Sequence, residues 1–490
     1  MSRRLALATG IALLAGAVAV PAAGAATATA TPSGKRLHDD FNGDGYADLA
    51  IGAPPTSGAG TLRAGSVTVL YGAANGLSTA RRQVLDDSRV YDESTPTGYG
   101  SDLQSADLDG DGYADLMSFI HWSPVDGDPG NTVTVNWGGP TGLSADRDNL
   151  VRLPDSAWTT GFTVGDVDGD HHPDVITLAN EYGVQDGYGD ILYGPFDRTG
   201  TAARTGTFTI DTEDFQTATT IAAGDVNGDG IADLAVGARD SEEPDSRKTA
   251  LLLGTSQGPG APVWLKDPNG RRFGGEDLAV GDLNKDGYAE IVIGHSIDGY
   301  DSDVELPTKG GALGIVYGGP NGASTTRKPV WINQDTPGVP GAGERGDGMG
   351  TGLSIGDTNG DGYQDVATGL PGEDLGTLAD AGSVLVLRGG ANGLTGTGAK
   401  AFSQNTSGVP GTAEKNDRFG TATALVDADG DGGKKYGLVV GDPAENANNG
   451  SVWVLSATSG GITTSGAFTF GAATVGVTPT GARFGASLGD

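Results

Sequence analysis

Short segments rich in apolar and β-branched residues recur along the chain between clusters of glycine and aspartate: SVTVLY at 66–71, TVTVNW at 132–137, IADLAVG at 231–237 and SVLVL at 383–387. Their alternation and their length, well short of a helix, predict β-strands. The segments keep one order. An apolar stretch such as 221–224 leads into an aspartate-rich loop, and a second such as 231–237 leads out of it. A third strand follows, then a glycine-framed turn (72–76, 138–142, 254–258, 318–322, 389–393), then a fourth strand such as 263–265 or 330–332.

The aspartate loop sets the period. A nine-residue pattern occurs seven times, as DFNGDGYAD at 40–48, DLDGDGYAD at 107–115, DVDGDHHPD at 166–174, DVNGDGIAD at 225–233, DLNKDGYAE at 282–290, DTNGDGYQD at 357–365 and DADGDGGKK at 427–435. Successive copies start 57 to 75 residues apart, enough for four antiparallel strands but too few for a domain. The spacing therefore predicts an all-β, seven-bladed β-propeller of four-stranded antiparallel blades over residues 37–490. Later repeats open with an aromatic residue or Met before Gly, at Tyr99-Gly100, Phe273-Gly274, Met349-Gly350 and Phe419-Gly420. The first repeat lacks this opening, and the C-terminus carries it as Phe484-Gly485. The C-terminal strand is expected to complete the first blade, which closes the ring and hides sheet edges.

Within each loop, carboxylates and amides recur at positions 1, 3, 5 and 9, with a backbone carbonyl available at position 7 and glycine near position 6 for the tight turn. The candidate metal ligands are Asp40, Asn42, Asp44 and Asp48; Asp107, Asp109, Asp111 and Asp115; Asp166, Asp168, Asp170 and Asp174; Asp225, Asn227, Asp229 and Asp233; Asp282, Asn284, Asp286 and Glu290; Asp357, Asn359, Asp361 and Asp365; and Asp427, Asp429 and Asp431. An oxygen-only set at this spacing suits a hard cation of flexible coordination, so Ca²⁺ is expected over Mg²⁺, Zn²⁺ or copper, at five to seven sites. These are not EF-hands, because position 12 of the first loop is Ile51, inside a strand, where a bidentate Glu is needed. His171 replaces glycine in the third loop and is expected to strain its turn. Lys435 at position 9 of the seventh removes a ligand and adds a cation, so weak or no binding is expected there.

Composition sharpens this reading. Asp plus Glu number 63 against 30 Lys plus Arg, a formal charge of -33 that repels a phosphate backbone, so no nucleic-acid partner is expected. The seven loops hold 23 of those acids, and bound Ca²⁺ would relieve their repulsion. Cysteine is absent, which excludes disulfides and thiolate chemistry and leaves calcium as the expected cross-link. Arg3, Arg4, the apolar run 5–20 and Ala23-Gly24-Ala25 read as a signal peptide over 1–25, with Sec export favoured over the twin-arginine route. A Thr/Ala/Pro-rich leader covers 26–36. The apolar run is short for a membrane span and has no second copy, so a secreted, extracellular monomer without a transmembrane segment is expected.

The aspartate loops, the Phe-Gly openings and Gly52-Ala53-Pro54 resemble the FG-GAP repeats of the integrin alpha-chain N-terminal propeller and of bacterial secreted FG-GAP/VCBS proteins. The linkers QDTPGVPGAGERGD at 334–347 and QNTSGVPGTAEKND at 404–417 resemble those of the bacterial relatives. The resemblance runs from about residue 37 to the C-terminus. It implies a seven-bladed propeller whose loops bind Ca²⁺, with a role in adhesion or ligand binding. Gly-Ala-Pro is intact only in the first repeat; others read Gly-Ala-Arg, Gly-Leu-Pro or Gly-Asp-Pro.

Other candidates have plainer readings. GTSQG at 254–258 matches the GxSxG nucleophile elbow but aligns with the glycine-framed turns of other repeats, so Ser256 is read as a turn residue. His38, His121, His171, His172 and His295 are scattered and form no HExxH motif. Arg345-Gly346-Asp347 aligns with Lys415-Asn416-Asp417 in the next repeat and is read as repeat chemistry rather than an adhesive tripeptide. Trp137, Trp158, Trp264 and Trp331 fall at core positions by register, and Trp122 is placed in a loop after a second strand.

No catalytic constellation survives alignment of the repeats. The expected function is a non-enzymatic, calcium-stabilised adhesion or ligand-binding module; a secreted hydrolase and a structural surface protein are the alternatives. Strand parity puts the aspartate loops and glycine turns on one face and the variable connections on the other. A glycan or protein ligand is expected on the second face, at loops 121–131, 182–188 and 298–303, where Trp122, Tyr182, Tyr188 and Tyr300 offer aromatic surface.

Overall fold

The computed structural model describes residues 37, 39–54, 57–58, 61–62, 65–86, 98–125, 128–145, 150–152, 159–179, 187–210, 216–240, 247–271, 274–298, 309–430 and 435–489. The leader assignments at 1–36 and the residues His38, Trp158, Tyr182, Phe273, Tyr300 and Asp431 lie outside the described residues.

Seven four-stranded antiparallel sheets follow one another along the chain. Blade two, for instance, runs through Leu103–Ala106, Asp115–Val125, Asp128–Asn136 and Leu150–Arg152. Blade seven runs through Ala422–Val426, Gly437–Asp442, Ser451–Leu455 and Phe468–Gly471. Blade one takes its first strand from the C-terminus: Ser487–Gly489 pairs with Leu49–Ala53, with Leu488 opposite Ile51. Helix is confined, among the described residues, to two four-residue turns at Glu445–Asn448 and Ala472–Val475.

The apolar residues collect between the sheets. Seven buried clusters are present among the described residues, and each joins two neighbouring blades: Ile51 with Val439 and Phe484, Val69 with Leu116, Phe119 with Phe162, Leu178 with Leu234, Leu251 with Ile293 and Val316, Ile315 with Leu385, and Val386 with Trp453. Because strand-face residues pack on the next sheet, removing one blade would expose the core of two seams.

Glycine is required where blades touch most closely. A Cβ on Gly369 would lie 1.7 Å from the carbonyl oxygen of Gly420, and one on Gly441 would lie 2.1 Å from that of Gly485. The second-strand glycine of one blade thus meets the Phe-Gly glycine that opens the next. Gly485 lies in the C-terminal segment, so the same contact closes the ring. The adjoining residues Tyr99, Met349, Phe419 and Phe484 are all buried, as their register implies.

Two tryptophan readings change. The second strand of blade two continues past Ile120 after a register shift and pairs as far as Val125 opposite Asp128, which puts Trp122 inside a strand rather than in a loop. Trp264 and Trp331 are half-buried rather than core, whereas Trp137 is buried. Trp453, which register alone does not single out, is the largest fully buried side chain among the described residues, and its Nε1 donates to the Pro410 carbonyl at 2.7 Å.

Candidate metal centre

Each of the first six aspartate loops is a tight coil closed by its own side chains. In the fourth, Asp225 Oδ1 accepts the amides of Gly228 and Asp229 at 2.7 and 3.1 Å, and its Oδ2 accepts that of Gly230 at 2.9 Å. Asn227 Oδ1 accepts the Asp229 amide, and Asp229 Oδ1 accepts the Ile231 amide. The first, third and sixth loops repeat this pattern around Asp40, Asp166 and Asp357. His171 holds the glycine position with φ 69° and keeps its amide on Asp166 at 2.8 Å, so the third loop closes despite a side chain in the left-handed region.

Position 9 acts as a strut. Asp233 is fully buried; its Oδ2 accepts the Val226 amide at 2.9 Å and its Oδ1 accepts the Gly254 amide at 2.8 Å. Asp48, Asp115, Asp174 and Asp365 make the same pair of bonds, in each case to the residue after position 1 and to the first residue of the following turn. The aspartate loop and the glycine-framed turn of a blade therefore share one face, as strand parity requires. Neighbouring loops are also stitched together. The amides of Ala114, Ala232, Ala289 and Tyr436 donate to the carbonyls of Asp40, Asp166, Asp225 and Asp357 in the preceding blade, and Ala73 donates to Ala428 across the closure.

The candidate ligands converge within loops, not between them. One carboxylate oxygen from each of Asp107, Asp109 and Asp115 lies within 4.8 Å of the others, and the same holds for Asp166, Asp168 and Asp174. Such oxygen-only groups could hold a hard divalent cation. In the fourth and sixth loops the position-3 amide instead donates to position 5, Asn227 to Asp229 and Asn359 to Asp361, each at 2.9 Å. The fifth loop departs further: the longer Glu290 reaches back so that Asn284 Nδ2 donates to its Oε1 at 2.7 Å. In the seventh, Asp427 is buried and Asp429 is placed, but residues 431–434 fall outside the described set.

Arginine is the component that the sequence pattern does not reveal. Arg81 pairs with Asp44 at 2.8 Å, Arg198 with Asp109 at 2.6 Å and also with Asp111, and Arg204 with Asp168. Arg198 comes from blade three to reach the loop of blade two. Its guanidinium competes with a cation for the same oxygens, and such an exposed pair contributes about 0.2–1 kcal/mol. Arg198→Gln is therefore expected to tighten Ca²⁺ at 107–115 by up to about fivefold, read by calorimetric titration; unchanged or weaker binding would remove the competition.

Burial pushes the position-9 carboxyls up, helped by the charges of their loop neighbours: Asp48 to about 8, Asp115 and Asp174 to about 7, Glu290 to about 7 and Asp233 to about 6. In chelator the folded protein thus binds protons more tightly than the unfolded chain, and that stability is lost as pH rises from about 4 through 6–8. The urea midpoint in EGTA is expected to be higher at pH 5 than at pH 8, and excess Ca²⁺ should erase the difference. A midpoint in EGTA that rises with pH would contradict this.

With this geometry in place, similarity to known proteins can be read. Residues 38–70, 217–244 and 349–387 match the family model for the FG-GAP repeat. The chain carries FG-GAP repeats. Integrin alpha-6 of Homo sapiens is 38% identical over 120 residues, 24% of this chain and 9% of that protein. Phosphatidylinositol-glycan-specific phospholipase D of Bos taurus is 31% identical over 146 residues, 28% of this chain and 17% of that protein. The aligned parts span less than a fifth of either relative. The solved structure of the exotype rhamnogalacturonan lyase YesX has a TM-score of 0.40 at 13% identity, covering 88% of this chain and 76% of that one. The matched FG-GAP segments include the loops at 40–48, 225–233 and 357–365, so the candidate ligands of these three loops sit inside the repeat motif.

The remaining candidates take structural places. Ser256 is an exposed turn residue, in a turn closed by the Gly258 amide on the Thr255 carbonyl at 2.7 Å. Asp347 of the Arg-Gly-Asp tripeptide is buried, and its Oδ2 accepts the Glu344 amide at 2.7 Å. His295 is buried with Nδ1 2.8 Å from the Gly274 carbonyl, while His171 is exposed and His172 half-buried in the third loop. Tyr188 lies in the strand Gly187–Phe196. No helix among the described residues is long and apolar enough to cross a membrane.

Proposed function

We propose that the chain is an exported, calcium-stabilised propeller that works as a non-enzymatic binding or adhesion module in the extracellular space. The observation that carries this is the set of aspartate loops on one face, five of them tied to the adjacent turn by a buried position-9 aspartate. That face is built from elements of nearly constant length. The connections at the other end vary in length, and in repeat folds variable loops gather where partners bind. A glycan or protein ligand is assigned to that second face, where Trp122 and Tyr300 are candidates for stacking.

Glycan and protein arrays probed with the purified chain, with Ca²⁺ and with EGTA, test the reading. Ligand capture should fall in Trp122→Ala combined with Tyr300→Ala while calcium-dependent melting is retained. Normal capture by that variant, with loss on substitution in the 318–322 turn, would reverse the faces. The likeness to a phospholipase D favours a hydrolase as the second reading. Turnover of a phosphodiester or ester substrate by the purified chain would select it.

A further inference from the structure

A second group of carboxyls lies away from the aspartate loops, at the seam of blades six and seven. Asp442 ends the second strand of blade seven, at the end opposite the loop that precedes that strand. Asp417 comes from the linker between the blades, and Glu445 lies in the turn after Asp442. One oxygen from each lies within 4.8 Å of the others. Asp442 is fully buried and Asp417 is 4% exposed, and no Lys or Arg among the described residues forms an ion pair with any of the three.

A neutral side chain points into the same space. Gln404, 4% exposed, donates its Nε2 to Glu445 Oε2 at 3.0 Å, which fixes the amide against the cluster. Its Oε1 is buried without a hydrogen-bond partner. Asp442 Oδ1 accepts the amides of Ala444 and Glu445 at 3.1 and 2.8 Å, but its Oδ2 is also buried without a partner. Two unsatisfied acceptor oxygens thus sit within a group of three carboxyls and an amide, and an unpaired buried polar group is costly.

The neighbouring seam is an internal control. Between blades five and six, Gln334 Nε2 donates to Glu373 Oε2 at 2.9 Å, and Asp347 Oδ2 accepts the Glu344 amide, as Asp417 Oδ2 accepts that of Glu414. The frame of glutamine, glutamate and aspartate is therefore part of the fold at both seams. Gln334 Oε1 is buried without a partner just as Gln404 Oε1 is, so the orphan amide oxygen belongs to the shared frame, and what sets the second seam apart is the third carboxyl with its unpartnered Oδ2: Leu370 follows Gly369 where Asp442 follows Gly441. A buried carboxylate where leucine suffices needs a compensating partner.

We propose that Asp417, Asp442 and Glu445, with Gln404 Oε1 as a neutral fourth donor, bind a hard divalent cation, Ca²⁺, at this seam. The donors are all oxygen, and three carboxylates with an amide carbonyl suit calcium better than a metal that favours nitrogen or sulfur. The ion would clamp the 404–418 linker to the second strand of blade seven. The site shares no residue with the aspartate loops, so it stands or fails independently of them.

Equilibrium dialysis of the full chain against Ca²⁺, with bound metal counted by atomic absorption, tests this. Asp442→Leu installs the residue that the neighbouring seam uses, and it is expected to bind one Ca²⁺ fewer than the parent while melting in EGTA at the same or a higher temperature. Glu445→Gln should lose the same equivalent, which keeps the test decisive if either variant folds poorly. Asp357→Ala, in the sixth aspartate loop, should lose a different one, so that Asp442→Leu with Asp357→Ala binds two fewer. If Asp442→Leu and Glu445→Gln bind as much Ca²⁺ as the parent, the buried carboxyls hold protons instead and the proposal is overturned.

Discussion

Transfer of the purified chain from 10 mM Ca²⁺ to excess EGTA lowers its melting temperature by about 10 °C if four or more aspartate loops bind with affinities of about 10⁻⁴ to 10⁻³ M. At that concentration each loop contributes about 1.4–2.7 kcal/mol by mass action. A protein of this size shifts its melting point by only about 1–2 °C per kcal/mol, by extension of the trend for smaller domains. The effect is large because the loops concentrate charge: 23 carboxyls lie in seven short coils, and there is no disulfide to hold the blades together. Removing the cation leaves the position-1 and position-5 carboxylates close together, beside a position-9 carboxyl whose proton affinity they raise. A melting curve that does not move in EGTA, after dialysis of the metal, removes calcium from the account.

Asp233→Ala has the largest expected effect of any single loop substitution, and it should persist in EGTA. Loss of the carboxylate strands the buried amide of Gly254, at about 1–3 kcal/mol, and leaves that of Val226 only its 3.1 Å bond to the Gly224 carbonyl. A cost of about 2–4 kcal/mol is therefore expected from the urea midpoint with or without metal. Asp229→Ala is the comparison. That residue is exposed and bonds within its own loop, so its cost should appear in Ca²⁺ and largely vanish in EGTA. Equal costs for the two variants in EGTA would mean that position 9 is only a metal ligand and not a strut.

Much of this architecture is written locally. The nine-residue loops fix the number of blades because each needs one strand before it and one after it, and Phe484-Gly485 reveals the closure because the first repeat lacks that opening. Parity of antiparallel strands then places loops and turns on one face without any coordinates. What could not be read depends on contacts between distant residues. Arg198 meets Asp109 from 89 residues away, and Gln404 meets Glu445 from 41, with no spacing rule to connect them. Trp453 packs against Phe419, in the element that opens its own blade, and a strand pattern alone does not say which of two faces carries the larger ring. Trp122 escapes the local rules for a different reason: a register shift lets the strand run on through Ser123 and Pro124, residues that read as a turn.

The most direct measurement is an anomalous difference map from crystals of the full chain grown in CaCl₂. The account predicts peaks inside the loops at 40–48, 107–115, 225–233 and 357–365, each bounded by the side chains at positions 1, 3 and 5, with Asn227 and Asn359 turned so that their oxygens face the ion. Arg81 and Arg198 should have moved off Asp44 and Asp109. Loops without peaks, with those arginine pairs intact at millimolar Ca²⁺, would show that the carboxylates serve the backbone and arginine alone.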